Sequence, residues 1–460
     1  MITKLQKIIS EALVLSIANF KEEFTKTFYD SWQKNIILYI SNFLISFLIL
    51  YLHRPDSLNH PQLWAEDGTI FLRDEWILGF PYTIPLLYSG YIHLVPRFIA
   101  FLSNLFPYEF IPFVFNFSAI FLAAVSVSFF SLRNFRYIVK SDLLRTITVA
   151  LICLTPVGHE SLNTATNVHF YFTFGVFLFA IMGGKLSPWA YFGIFIYVCI
   201  GTLTAPLSIF YAPLFLIRYF IFKSDRFRWV YAFLFILNMS YGVLMFFYGS
   251  SDSLTRIDWE FFINITNVEK LFRVSFAIYF IDFDSWKFLD YFKFFWVFEL
   301  IFLFFYIRNF SKKGIQNTIL IGTYLIAIFV PILLRGGLSL SEEQASYVTL
   351  FNISKDSLYL SNVVFLLNIR YGLVPFMIFC ILPFSVILND KNKKLNLVLG
   401  ILILGAYAFI IKDSFFIKPY HDFEWETFSE QVKNKKNVSI PINPTWWQKI
   451  EVKENEWKKE

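Results

Sequence analysis

Charge is scarce in this chain: only 16% of its 460 residues are Asp, Glu, Lys or Arg, while 57% are hydrophobic and 21% aromatic. A soluble domain carries about a quarter charged residues, so this balance excludes an ordinary globular protein. Cysteine is scarcer still. Cys153, Cys199 and Cys380 fall far apart inside apolar runs, which argues against a disulfide framework or a thiolate metal site. No glycine-rich phosphate loop, nucleotide fingerprint or ATPase motif is present, which argues against a nucleotide-driven pump. No small-residue cleavage site closes the first apolar stretch, and charge resumes at Lys21, Glu22 and Glu23. Residues 1–35 therefore read as a cytoplasmic amphipathic segment at the membrane surface rather than a signal peptide.

What is present is one apolar run after another, each near the roughly 20 residues that cross a bilayer. The runs are 36–52, 109–132, 146–158, 168–182, 189–204, 206–222, 229–249, 291–308, 318–334, 361–388 and 395–411. The expected fold is all-α, a polytopic membrane protein of about 11 transmembrane helices. The stretch 69–106 is broken by Arg73, Pro81, Pro85, Pro96 and Arg97, and reads as interfacial helices in the first outer loop. Residues 36–411 then form the membrane domain and 412–460 an extracytoplasmic tail.

Loop charges set the expected orientation. The loops 133–145, 223–228, 308–314 and 390–394 hold 13 basic and 3 acidic residues, while 53–76, 159–167, 250–290 and 335–360 hold 8 basic and 16 acidic ones. The positive-inside rule places the first set in the cytoplasm, with the N-terminus, and the second outside. The longer loops lie on the outside, so function is expected there.

Three polar islands interrupt the apolar chain. WAEDG places Glu66 beside Asp67, neighbours that point about 100° apart on a helix and so are expected to play different parts. Asp67 reads as the N-cap of the following helix and Glu66 as the acid left free to act; both also read as a solvated loop with a cap. TPVGHESLNTATNVHF gathers His159, Glu160, Asn163, Asn167 and His169 in one turn, suited to a hydroxyl-rich ligand or simply to closing a helical hairpin. In IRYGLVP, Arg370 falls inside an apolar run, where a guanidinium marks a paired or functional site, or snorkels to the interface. His93 and Arg97 form a further basic spot, and Trp446 and Trp447 an aromatic pair in the tail.

With these residues in view, WAEDGTIF, the P-x-x-x-E turn at 156–160 with Asn167 and His169, IRYGLVP and IPINPTWW resemble the GT-C superfamily of membrane glycosyltransferases. The likeness is to bacterial members of surface-polysaccharide (O-antigen) systems, related to phage serotype-converting glucosyltransferases. It spans most of the chain in layout but only four short motifs in residues. It implies a multi-pass protein of the bacterial inner membrane, a polyprenyl-phosphate-linked sugar donor, and an extracytoplasmic glycan or glycolipid acceptor. Glu66 or Asp67 would be the acidic motif, as general base or as ligand of a divalent metal such as Mg or Mn. Arg370, Tyr371, Arg97 and His93 would bind the donor phosphate. Glu160, Asn163, Asn167, His169, Trp446 and Trp447 would bind sugar or acceptor. A flippase for lipid-linked oligosaccharide and a glycan polymerase are the competing readings.

Overall fold

A computed structural model of the chain describes residues 2–26, 32–223, 225–248, 296–334, 370–388, 393–411, 415 and 417–458. The outer loops expected at 250–290 and 335–360 lie outside the described residues, as do 291–295 and 361–369 of two expected spans. The described chain is all-α apart from one short ribbon. Three helices are long and apolar enough to cross a membrane: Gln33–His53, Tyr108–Ser131 and Phe310–Val330, with mean hydropathies of 2.0, 2.1 and 1.4. Seven more apolar helices have 10–17 residues. The expectation of about 11 full-length spans is thus not met by length among the described residues. Turn chemistry bounds two of the runs. The 168–182 run ends at Ile181, before Gly183 and Gly184, and the 206–222 run opens as a six-residue 3-10 turn at Pro206–Tyr211.

The helix Val168–Ile181 is the axis of the bundle. Every one of its residues is buried, as expected of a helix that is apolar on all sides. Ile111–Ser128, Pro188–Thr204 and Leu373–Val386 pack around it. Pro188–Thr204 starts where its sequence says it should, with Pro188 in the first turn and the Ser187 hydroxyl accepting the Ala190 N–H at 3.2 Å. The first helix, Ile2–Thr25, is more than a surface element. It docks along Phe310–Leu334, where Ile315 N–H donates to Ser16 Oγ and Asn19 Nδ2 donates to Ser311 O, both at 2.9 Å.

A second core lies at the end of the bundle where Val168–Ile181 begins. It joins residues 54–111 to the C-terminal segment. Strands Val438–Ile440 and Ile450–Val452 pair antiparallel, with Ser439 opposite Glu451, and each buries its first and third residues. Those four side chains pack with Leu63, Phe71, Trp76 and Ile99. Polar ties lock the layers: Arg73 Nε donates to Glu451 O at 2.9 Å and Trp425 Nε1 to Tyr108 O at 2.8 Å. Gly68 makes the closest approach. A Cβ there would lie 2.7 Å from Ile450 Cδ1, so the ribbon rests on a residue with no side chain.

Candidate functional site

Beneath this ribbon the three polar islands converge. Glu66 ends a stretch whose backbone is bridged to the tail, with Asn443 N–H donating to Leu63 O at 3.2 Å. Ala65, just before it, holds a left-handed φ of 34°, an unfavourable conformation for a residue with a Cβ that fixes where Glu66 points. The Glu66 carboxylate is buried. Its Oε1 accepts from Tyr88 OH at 3.5 Å and lies 3.9 Å from Arg370 Nη1, while Oε2 has no hydrogen-bond partner among the described residues. Burial, reinforced by the Glu66 charge, pushes the Tyr88 hydroxyl up and keeps it a donor. Arg370 also reaches Glu160, with Nε 3.6 Å from Oε1, and its side chain is 28% exposed. It opens the 3-10 turn Arg370–Gly372 ahead of the Leu373–Val386 helix. Both ion pairs are longer than a hydrogen bond, so the guanidinium can be drawn to a third anion without breaking a tight bidentate pair.

Asp67 is not a helix cap. No side-chain cap bond opens the π-helical turn Asp67–Leu72. Instead Asp67 Oδ2 accepts the Ala165 N–H at 3.2 Å and Oδ1 the Thr166 N–H at 2.6 Å, in the turn just before Val168–Ile181. The carboxylate therefore ties the first island to the second. Burial pushes its carboxyl up to about 7, with the Thr166 and Ala165 bonds opposing and the neighbouring Glu66 charge adding to the rise.

The remaining expected residues divide. Asn163 and Asn167 tie the turn through their amide nitrogens, while the Oδ1 of each is buried with no hydrogen-bond partner among the described residues. Asn163 Nδ2 donates to Leu50 O and Ser57 Oγ, and Asn167 Nδ2 to Glu160 O and Thr164 Oγ1. Arg97 is committed to Asp74 at 2.9 Å and to Ile92 O, so it is not available to a phosphate. His93 stacks on Tyr91 at 3.6 Å and stands at a right angle to His169, 6.2 Å away, in an aromatic wall with Phe71 and Tyr88. His169 Nδ1 lies 2.8 Å from Thr166 O, which sets that nitrogen as the donor. Tyr371 lies beside the Arg370 guanidinium, 5.6 Å from it. Trp447 reaches the site through Nε1–H to Thr69 Oγ1 at 3.3 Å, whereas Trp446 is 76% exposed.

Besides Tyr88, two side chains at the site were not anticipated. Arg54 is buried with its guanidinium over the Tyr420 ring and Nε 3.6 Å from Asp56. Tyr420 also stacks on Trp64, and its hydroxyl is raised by burial, with the nearby Asp67 and Glu160 charges adding to the rise. The signal for Arg54 was its position: a basic residue at what the sequence reading makes the outer end of the first span, against the charge rule. Tyr420, one aromatic among many, gave none.

A divalent metal does not fit these residues. Both Asp67 oxygens are taken by backbone N–H groups and Glu66 faces a guanidinium. Among the described residues, no three His, Cys, Asp or Glu side chains gather around one point. In comparison with known proteins, no family model, curated sequence or solved structure matches the chain.

Proposed function

We propose that the chain is a polytopic membrane glycosyltransferase with a GT-C-like layout. It would move a sugar from a polyprenyl-phosphate donor to a glycan or glycolipid acceptor at the extracytoplasmic face. On this reading the shorter apolar helices join the three long ones in the membrane, the N-terminus is cytoplasmic, and the ribbon lobe faces out. One observation carries the reading: Glu66, buried with one oxygen unpartnered, shares Arg370 with Glu160 beneath an aromatic wall.

The donor phosphate enters beside Arg370, and the guanidinium turns from the two carboxylates to the phosphate. As the bond from the anomeric carbon to the phosphate oxygen lengthens, Arg370 stabilises the charge on the leaving group. The acceptor hydroxyl attacks the anomeric carbon and loses its proton to Glu66, the free oxygen taking it. Glu160, relieved of Arg370, is placed to accept hydrogen bonds from sugar hydroxyls. Asp67 makes no contact with substrate and holds the two motifs in register.

The test is release of polyprenyl phosphate by the purified protein in nanodiscs, offered a panel of polyprenyl-phosphate hexoses and acceptor glycolipids. The wild type should turn over at least one donor, and Glu66→Gln none. A Glu66→Gln protein with undiminished turnover would sink the base assignment. Failure of the wild type with every donor would sink the reaction class.

A further inference from the structure

His93 stands in a conformation that its own residue type does not favour. Its φ of 55° and ψ of 46° are left-handed, unfavourable for a residue with a Cβ, and no side-chain bond caps the Leu94–Ser103 helix it opens. The backbone around it is held from outside. Ile92 N–H donates to Tyr241 OH at 3.0 Å, and Val95 N–H donates to Thr204 Oγ1 at 3.2 Å. Between them Arg97 takes two carbonyls, its Nε–H donating to Ile92 O and its backbone N–H to His93 O, both at 3.2 Å. Four consecutive peptide groups, from Tyr91–Ile92 to Leu94–Val95, are thus each fixed by a hydrogen bond.

Two of the anchors come from apolar helices far along the chain. Thr204 ends Pro188–Thr204, and Tyr241 lies in Trp229–Tyr248, which packs against it. The Thr204 hydroxyl donates to Ile200 O at 2.8 Å, which leaves its lone pairs to accept from Val95. Just before Tyr241, the fully buried Asn238 places Oδ1 3.0 Å from Thr202 Oγ1 and 3.1 Å from Ser208 Oγ. A buried amide between such apolar helices favours one register, because sliding either helix strips it of its hydroxyl partners. Asn238 therefore fixes the height at which Tyr241 and Thr204 meet the backbone beside His93. We infer that Tyr241 and Thr204 are positioning residues, which impose the left-handed turn at His93 and so set its ring on Tyr91 and across from His169. A relaxation to negative φ would swing the Cα–Cβ bond and carry the imidazole off Tyr91. The positioning stands apart from the transferase reading, and only its effect on turnover rests on that reading.

The full chain in nanodiscs, with 13C-labelled histidine rings, gives signals from six histidines, assigned by single substitutions. Tyr241→Phe, which removes only the accepting hydroxyl, should move the His93 and His169 signals and leave those of His53, His60 and His421 in place. Thr204→Val, nearly the same shape, should do likewise, and it decides the matter if Tyr241→Phe does not fold. A melting comparison addresses the backbone itself. His93→Gly should melt above His93→Ala, since glycine adopts positive φ readily, and the gap should shrink in the Tyr241→Phe background. His93 signals unmoved in the folded variants overturn the positioning, and equal melting of His93→Gly and His93→Ala overturns the strain. With a wild type that turns over a polyprenyl-phosphate sugar, Tyr241→Phe should lower kcat/KM, and an undiminished value removes the effect on turnover. A wild type inert toward every donor sinks the transferase reading alone, and the histidine signals still decide the positioning.

Discussion

The Arg370 guanidinium stands 3.9 Å from the Glu66 carboxylate, near enough to balance its charge and too far for a direct hydrogen bond. With Glu160 on its other side, Arg370 is the positive member of a loose triad. Removing it leaves two carboxylates facing each other, one of them buried. Arg370→Ala should cost about 1–3 kcal/mol of stability, discounted from a fully buried pair because the side chain is partly exposed. Adding Glu160→Gln should recover part of the loss. Arg370→Lys should keep the fold and weaken donor binding, since one ammonium cannot reproduce the fork. Thermal melts and donor titrations on the same proteins separate the two roles. A stable Arg370→Ala protein with normal donor affinity would leave Arg370 with neither.

Asp67 predicts a pH dependence. Its carboxyl, near 4 in an unfolded chain, is raised to about 7 by burial. The folded state therefore holds the proton more tightly. The stability this confers is fully present below about pH 4 and is lost as pH rises through about 7. Melting temperature should fall between about pH 4 and 7 in the wild type, and this component should vanish in Asp67→Asn. Asp67→Asn should also cost about 1–3 kcal/mol, because an amide turns a donor toward one of two backbone N–H groups. A pH profile identical in the two proteins refutes the assignment.

Gly68 predicts a steric coupling across the chain. Gly68→Ala places a methyl against Ile450 and Ile442 and should destabilise the lobe by about 1–3 kcal/mol. Ile450→Val, harmful alone, should offset part of this in the double mutant. Strict additivity in a double-mutant cycle would show that the ribbon does not rest on Gly68.

The tryptophan pair should behave asymmetrically. Trp446→Ala removes an exposed ring and should leave stability unchanged within about 0.5 kcal/mol. Trp447→Phe loses the bond to Thr69 and should lower both stability and acceptor use. Equal effects would contradict the different environments of the two rings.

Glu66, Glu160 and Arg370 were legible in sequence because charge is rare here, and a polar residue stranded between apolar runs stands out. Tyr88 and Tyr420 were not, since an aromatic residue in so aromatic a chain carries no mark. Asp67 shows a subtler limit. An acid before a helix looks the same whether it caps that helix or ties down a turn 98 residues on, and only the fold distinguishes them. Arg97 read as part of a basic spot because nothing in the sequence marks which of the two acids in the same broken stretch, Asp74 or Glu75, pairs with it. The ribbon escaped notice because three-residue strands are too short to display alternation.

The bond from Arg73 to Glu451 joins residues 378 apart. Translation delivers the carboxylate loop early and its roof hundreds of codons later. Until then Gly68, Phe71 and Trp76 lack the partners that cover them, and the bend at Ala65 has no Asn443 against which to brace. A chain that stops short of residue 438 thus carries Glu66, Glu160 and Arg370 but lacks the ribbon that packs over Gly68.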